Sequence, residues 1–301
     1  MSQEPMRKTA AFGSEDRAHP LARVIMRAPG PAMAAADPAQ WHYGPGFDPA
    51  RAQAQHAALA DIVAASGCEV IWLDSADDSL SDAVFVQDPS FVTHAGAVIL
   101  NMGKSLRRAE PTLHETTYQR LGVPVIGRLT GDARAEAGDA FWIDPQTLAV
   151  GRGARTNQAG IAALDDILRP HGITVRAYDL PWWSGPEACL HLMSLVSPVA
   201  PNAALIHAPL MPFALWQDLR DAGWTLIHAP EAEFHASQGL SLNVLMLKPF
   251  DVVMIDGFPQ TRAALEKAGC RVQVFEGDAL CIACEGGPTC LTRPLLRAAC
   301  A

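Results

Sequence analysis

The sequence predicts an α/β fold assembled from one strand–helix–strand unit repeated five times. Two observations carry this reading. Gly67, Gly122, Gly172, Gly223 and Gly269 recur at intervals of 46 to 55 residues, each after a helical pattern and before an apolar strand pattern. A glycine so placed reads as the residue that ends a helix, because it takes the left-handed conformation without a Cβ penalty. The second observation is a further apolar segment that links each unit to the next, so that each repeat reads strand, strand, helix, strand.

Taken in order, the opening strands are Val24-Ile25-Met26, Val98-Ile99-Leu100, Leu148-Ala149-Val150, Ala204-Leu205-Ile206 and Val252-Val253-Met254-Ile255. Helices follow with apolar residues at three- and four-residue steps, as in Ile161, Leu164, Ile167 and Leu168, or Phe213, Leu215, Trp216 and Leu219. The strands after the glycines are 69–73, 123–126, 173–175, 224–227 and 271–275. The linking segments, read as strands, are 83–92, 140–143, 189–196, 242–247 and 290–296. Strands joined through helices need a sheet beside each helix. Five units can close radially or run on as an open doubly wound sheet, and periodicity alone does not choose.

Composition limits the functional classes. The chain has 301 residues, 49% hydrophobic, with 23 Lys and Arg against 32 Asp and Glu for a net charge of −9. That is ample apolar mass for a core. No basic run suggests a nucleic-acid partner, and no uninterrupted apolar stretch is long enough to span a bilayer. Residues 1–19 are polar, lack the apolar segment of a secretory signal, and read as a mobile N-terminal tail ahead of a single catalytic domain over 20–301. Seven cysteines without a signal favour reduced thiols in a cytoplasmic setting.

Most chemically capable side chains fall on the linking segments. They are Asp82 and Asp88 in DAVFVQDPS, Glu136 and Asp139 in EAGDAFW, His191 in CLHLMS, Asn243 in SLNVL and Cys290 in EGGPTCLT. Radial closure would bring them to a common axis. A thiol and an imidazole are the minimum for nucleophilic thiol catalysis. Free cysteine titrates at about 8.5, so a cation must favour its thiolate. The acids beside it suit a planar guanidinium, whose five N–H donors pair with carboxylates. The substrate would then supply part of the missing positive charge.

These segments, together with GARTN around Arg155, resemble in order and spacing the guanidino-group-modifying enzymes of the amidinotransferase, or pentein, superfamily. Within it they resemble the dimethylarginine dimethylaminohydrolase family, from about Arg23 to Arg297. The resemblance implies a five-module (ββαβ) α/β propeller with pseudo-fivefold symmetry. It implies Cys290 as nucleophile, His191 as general acid and base, and Glu136 as the carboxylate that orients His191 or grips the guanidinium. It implies Asp88 as guanidinium anchor, Arg108 and Arg155 as the pair for a substrate carboxylate, and Asp82 for the α-amino group, with Asp139 in the same substrate-binding set. Gln87 departs from the family, which often carries an acid there, and so does the bulky Trp182-Trp183 between Pro181 and Pro186.

The implied reaction is hydrolysis of a guanidino C–N bond through a thiouronium on Cys290, giving a ureido product such as citrulline and an amine or ammonia, with no metal or organic cofactor. An amidinotransferase or an arginine deiminase would use the same intermediate. The expected partner is a small guanidino compound, not nucleic acid or membrane; the oligomeric state, a homodimer included, is not readable. Cys281, Cys284, Cys290 and Cys300 offer a rival of another class, a zinc-stabilised binding protein, though the strand-like EGDALCIA would have to break. Trp41-His42-Tyr43-Gly44 reads as a lid or as a packed loop.

Overall fold

The helix-ending role of the five glycines is met in the backbone. Gly67, Gly122, Gly172, Gly223 and Gly269 have φ of 89°, 69°, 74°, 76° and 91°, the left-handed region that favours glycine. The computed structural model describes residues 11–73, 79–185 and 190–298. Its strands, in chain order, are β1 (Leu21–Met26), β2 (Glu69–Trp72), β3 (Ser90–Thr93), β4 (Gly96–Ile99), β5 (Val125–Arg128), β6 (Ala140–Asp144), β7 (Thr147–Arg152), β8 (Thr174–Asp179), β9 (Val196–Ala200), β10 (Ala203–Ile206), β11 (Thr225–His228), β12 (Leu245–Lys248), β13 (Asp251–Ile255), β14 (Arg271–Phe275) and β15 (Arg293–Arg297). The module helices are α1 (Pro49–Ala65), α2 (Glu110–Arg120), α3 (Gln158–Leu168), α4 (Phe213–Asp221) and α5 (Pro259–Lys267).

The strands form five three-stranded sheets, and each repeats one pattern. A linking strand pairs antiparallel with the opening strand, which pairs parallel with the strand beyond the helix, as in β6–β7–β8. The parallel pair needs a crossover, and the module helix supplies it. The first sheet is the exception in chain order, because its antiparallel strand is β15 from the far end of the chain. This late strand completes the module that β1 begins and ties the last module to the first.

Packing settles radial closure. Five apolar clusters lie between successive modules. Ile25, Val92, Ile99 and Leu295 join the first to the second. Phe91, Val98, Leu148 and Leu164 join the second to the third. Phe141, Ala149, Ile206 and Leu215 join the third to the fourth. Leu205, Ile227, Met246 and Leu265 join the fourth to the fifth. Leu59, Met26, Val253 and Phe275 return from the fifth to the first. The helical stripes read from sequence feed these clusters: Ile161, Leu164 and Leu168 are buried, as are Leu215 and Leu219, while Phe213 stays exposed. Burying each such side chain contributes about 1.5–3 kcal/mol before the entropy of ordering it. The fold is a five-module α/β propeller.

Three expectations need correction. The linking segments are not strands throughout. Three of them hold a single 3₁₀ turn, at Ser81–Val84, Leu192–Ser194 and Leu240–Leu242, before β3, β9 and β12; the second, 140–143, is strand throughout as β6, and its turn at Ala137–Asp139 comes just before it. A turn lets a side chain point along the axis where a strand would face it into a sheet. The segment read as strand-like EGDALCIA holds a helical turn over Asp278–Ile282. Finally, the tail expected over 1–19 is packed from Gly13 onward. Gly13 bonds Leu295 and Arg297 through its backbone, the Ser14 hydroxyl donates to the Val92 carbonyl at 2.8 Å, and Arg17 is buried. Polarity misled because these groups find carbonyl partners instead of water. Cys189, Pro186 and Cys300 lie outside the described residues.

Candidate active site

The GGPTC loop before β15 sets Cys290 against the fourth linking turn. Asn243 Nδ2 donates to Cys290 Sγ at 3.2 Å, and Asn243 Oδ1 accepts from the Thr289 N–H at 2.9 Å. The two glycines are required here. A Cβ on Gly287 would lie 2.4 Å from Asn243 Cγ, and one on Gly286 would lie 2.2 Å from the Phe85 ring. Among the described residues five cysteines are free: Cys68, Cys270, Cys281 and Cys284 are buried, and Cys290 is half-buried. Burial, then the Asp88 carboxylate, push its thiol up to about 11, while the Asn243 N–H, the His191 ring and the Gly287 backbone act in the opposite direction.

His191 opens the Leu192–Ser194 turn. Its Nε2 lies 2.9 Å from Glu136 Oε2. The other Glu136 oxygen accepts from the Gly103 and Lys104 N–H groups at 2.9 and 3.1 Å, with Arg155 Nη1 at 3.6 Å. Burial alone would raise this carboxyl. The hydrogen bond and charge of His191, with Arg155 and Arg107, hold it below the usual carboxylate range. Gly138 is part of the same fit, since a Cβ there would meet His191 Nδ1 at 2.5 Å and Asp88 Oδ1 at 2.9 Å.

Asp88 Oδ1 accepts from the Gly138 N–H at 3.1 Å, and Oδ2 accepts from Arg107 Nη1 at 2.7 Å. Arg107 also grips Glu110 through bonds of 2.8 to 3.0 Å. This is the first of the arginines in SLRRAE, and sequence reasoning missed it. The expected Arg108 is exposed and absent from the lining of the cavities at Cys290. Neighbours in a 3₁₀ turn point about 120° apart, so only one of the two can face the axis. Arg155 does reach the site.

Asp82 is also there, but engaged: Oδ1 accepts from Tyr43 OH at 2.8 Å and Oδ2 from Lys104 Nζ at 2.6 Å. Lys104, a second missed cation, lies 5.0 Å from the Trp41 ring centroid. Trp41-His42-Tyr43-Gly44 is therefore a packed loop over this edge. Asp139 does not line either cavity at Cys290. It is buried, accepting from Thr156 Oγ1 at 2.6 Å and the Leu192 N–H at 2.9 Å. Its place is behind His191, fixing the turn that carries the ring.

Two cavities meet at Cys290, His191, His42 and Glu285. The smaller, about 60 Å³, is lined by Asp82, Asp88, Lys104 and Arg155. The larger, about 260 Å³, extends between Trp183, Ser237, Gln238 and Ile282. His42, Trp183, Gln238 and Glu285 line it with φ of 64°, 44°, 51° and 59°. Non-glycine residues seldom hold such angles, and they concentrate at ligand sites. Trp182, by contrast, is 73% exposed.

Among the described residues, the side chains close enough to share a metal ion are Asp88, Glu136 and His191, with ligand atoms within 4.8 Å. Two of the three are committed to one another. Cys281, Cys284 and Cys290 do not form such a group, and the helical turn at Asp278–Ile282 buries Cys281 in the core instead.

A family model described as "N,N dimethylarginine dimethylhydrolase, eukaryotic" matches residues 47–279. The N(G),N(G)-dimethylarginine dimethylaminohydrolase of Pseudomonas aeruginosa is 30% identical over 75% of this chain and 81% of its own length. The Streptomyces coelicolor protein of the same name is 34% identical over 51% of this chain and 56% of its own. Among solved structures, a variant of the Pseudomonas aeruginosa enzyme complexed with citrulline superposes with a TM-score of 0.75 at 24% identity, covering 92% of this chain and 99% of that one. An amidinotransferase from Microseira wollei has the same fold, with a TM-score of 0.77 at 18% identity over 96% and 98% of the two chains. With the family model spanning most of the propeller and a relative matched along most of its length, the chain belongs to the dimethylarginine dimethylaminohydrolase family.

Proposed function

We propose that the protein hydrolyses a C–N bond of an arginine-type guanidino compound, with the N-ω-methylated arginines as the leading substrates. The observation that carries this is the meeting of Cys290 with the His191–Glu136 pair at one cavity whose wall also holds Asp88. Asp88 and Glu136 keep the guanidinium in plane. The arriving cation offsets the Asp88 charge that holds the thiol neutral, and Cys290 passes its proton to His191. The thiolate forms a bond to the guanidinium carbon. His191 returns the proton to the departing amine as that C–N bond breaks, leaving a thiouronium on Cys290. Water then loses a proton to His191 and adds to the same carbon. The C–S bond breaks, releasing the ureido product and the thiol. Positioned proton transfer of this kind contributes about 10²–10⁴-fold.

The larger cavity gives the leaving amine and the incoming water a route at Cys290 and His191. The smaller cavity is the natural place for the amino-acid end. Arg155 with Lys104, in place of Arg108, would take the substrate carboxylate, while the α-amino group competes with Lys104 for Asp82. In Lys104→Ala, KM for methylated arginine should rise about tenfold, the size of one lost charge-assisted bond, with kcat little changed. An unchanged KM in steady-state assays would remove Lys104 from substrate binding. Residues 20–301 act as one catalytic unit in this reading, because β15 completes the sheet that β1 begins. Among the described residues no helix is long and apolar enough to cross a membrane. A reducing, cytoplasmic setting fits an enzyme whose nucleophile must stay a free thiol.

The deciding experiment incubates the protein with arginine, mono- and dimethylarginine and agmatine, and follows ureido product, amine and ammonia. Dimethylamine with citrulline supports the proposal. Ammonia from unmodified arginine alone would make it a deiminase. Product appearing only when an amine acceptor is added would make it a transferase.

The thiol itself gives a second check. Iodoacetamide alkylation of Cys290, read by mass spectrometry, should be slow at pH 7. It should gain about tenfold per pH unit as the thiolate grows toward the midpoint near 11. Asp88→Asn should move the profile to lower pH, since the thiolate loses an anionic neighbour. A profile that stays put or moves upward would contradict this account of the site.

A further inference from the structure

Behind the reactive side chains lies a third cavity, of about 70 Å³. Its lining includes Gln87, Ala137, Val244 and Thr289, the chain neighbours of Asp88, Glu136, Asn243 and Cys290. It therefore occupies the propeller axis on the reverse of the catalytic residues. Three arginines also line it: Arg17 from the N-terminal segment, and Arg293 and Arg297 from β15. No aspartate or glutamate does.

Buried charges are ordinarily paired, and Arg107 in this same chain follows the rule with Asp88 and Glu110. The three axial arginines do not. Arg17 donates to the Trp142 carbonyl, with its guanidinium carbon 4.8 Å from the Phe141 ring centroid and 5.0 Å from that of Trp224. Arg293 Nη1 donates to the Gln87 and Ser90 carbonyls at 2.9 and 2.5 Å, and its buried Nε has no partner. Arg297 donates to the His19 and Met246 carbonyls at 3.3 and 2.7 Å. Every partner is neutral, and none of the three makes an ion pair among the described residues. Arg17 and Arg293 are 7% and 5% exposed. Burial lowers Arg17 to about 9 and Arg293 and Arg297 to about 10, and the charge of Arg297 depresses Arg17 further; Asp144 and Asp16 on Arg17, Asp88 on Arg293 and Asp16 on Arg297 act in the opposite direction without forming an ion pair.

We propose that Arg17, Arg293 and Arg297 form a binding site for a small, weakly hydrated monovalent anion, of the halide or nitrate class. The cavity has room for a small ion between the three guanidinium groups. The remaining wall, including Phe91, Phe141 and Met246, disfavours strongly hydrated ions, whose desolvation cost is greatest. Guanidinium is itself weakly hydrated, so the match is with a soft anion. Binding here would tie the N-terminal segment to the last strand and the back of the catalytic turns. These arginines lie outside the cavities at Cys290, whichever guanidine the enzyme hydrolyses.

The test uses the full chain at constant ionic strength, replacing sodium fluoride stepwise by sodium bromide or nitrate while the unfolding midpoint is recorded. A saturable rise with bromide and nitrate is expected, persisting in Lys104→Ala. A crystal soaked in bromide should show an anomalous peak between the three guanidinium groups. Gln87→Glu, which places a carboxylate in the cavity, should remove the anion dependence. If that variant does not fold, Arg17→Gln should weaken the dependence at least tenfold in apparent affinity. Equal midpoints in all salts, a dependence that survives both variants, or bromide bound only at the Arg155–Lys104 edge would overturn the proposal.

Discussion

Cys290→Ser is expected to lower kcat by about 10⁶-fold, the scale of losing a nucleophile from a cooperating set, while the unfolding midpoint stays close to that of the parent. The two halves of this expectation have separate causes. Serine keeps a hydroxyl where Asn243 Nδ2 now donates to sulfur at 3.2 Å, and the volume change is small, so the GGPTC loop has little reason to move. The chemistry has no such tolerance. Attack requires an anion, and a hydroxyl in this buried place beside Asp88 ionises far less readily than the thiol already raised to about 11. Acid-quenched parent enzyme should carry a covalent mass increment on the peptide containing Cys290, and the serine variant should carry none. Turnover retained within a hundredfold, with correct folding, would mean that sulfur is not the attacking atom.

The same residues show how much of the site was legible in the sequence. Glycine spacing exposed the repeat because the left-handed helix end is a backbone requirement, and all five positions meet it. Repetition then implied that one position per module shares an axis, which brings Asp88, Glu136, His191, Asn243 and Cys290 together. Inward direction was less legible. Arg107 and Arg108 are chemically identical, and only the phase of a short turn puts Arg107 on Asp88 and Arg108 outside. Asp139 lies three residues from Glu136 in a motif that marks both as reactive, yet its oxygens are spent on Thr156 and the Leu192 N–H. Lys104 gave no signal, because an isolated lysine after a glycine reads as a solvated charge until Asp82 and Trp41 are seen around it. Buried arginines with carbonyl partners were illegible for a related reason. Polar residues at a terminus are ordinarily solvated, and what orders Arg17 is a pair of aromatic rings from other modules.

Glu136→Gln should lower kcat by about 10³–10⁴-fold, the loss seen when an acid that orients a catalytic histidine becomes an amide. The substitution preserves shape, and an amide oxygen can still accept from the Gly103 and Lys104 N–H groups that now bond Oε1. What changes is the group facing His191 Nε2 at 2.9 Å. A carboxylate accepts, which fixes the ring with Nε2–H toward Glu136 and leaves Nδ1 to exchange the proton. An amide nitrogen donates, so the ring adopts the opposite tautomer and Nδ1 already bears a hydrogen. The imidazolium formed during each proton transfer also loses its counter-charge. Because Glu136 is held below the usual carboxylate range, it is ionised throughout ordinary working conditions. The loss in the variant should therefore be nearly constant between about pH 6 and 9, not confined to one limb of the profile. Comparing kcat with KM separates the two roles open to this acid. A fall in kcat with KM within about threefold marks Glu136 as the residue that positions His191, whereas a rise in KM of tenfold or more with kcat preserved would make the guanidinium its principal partner.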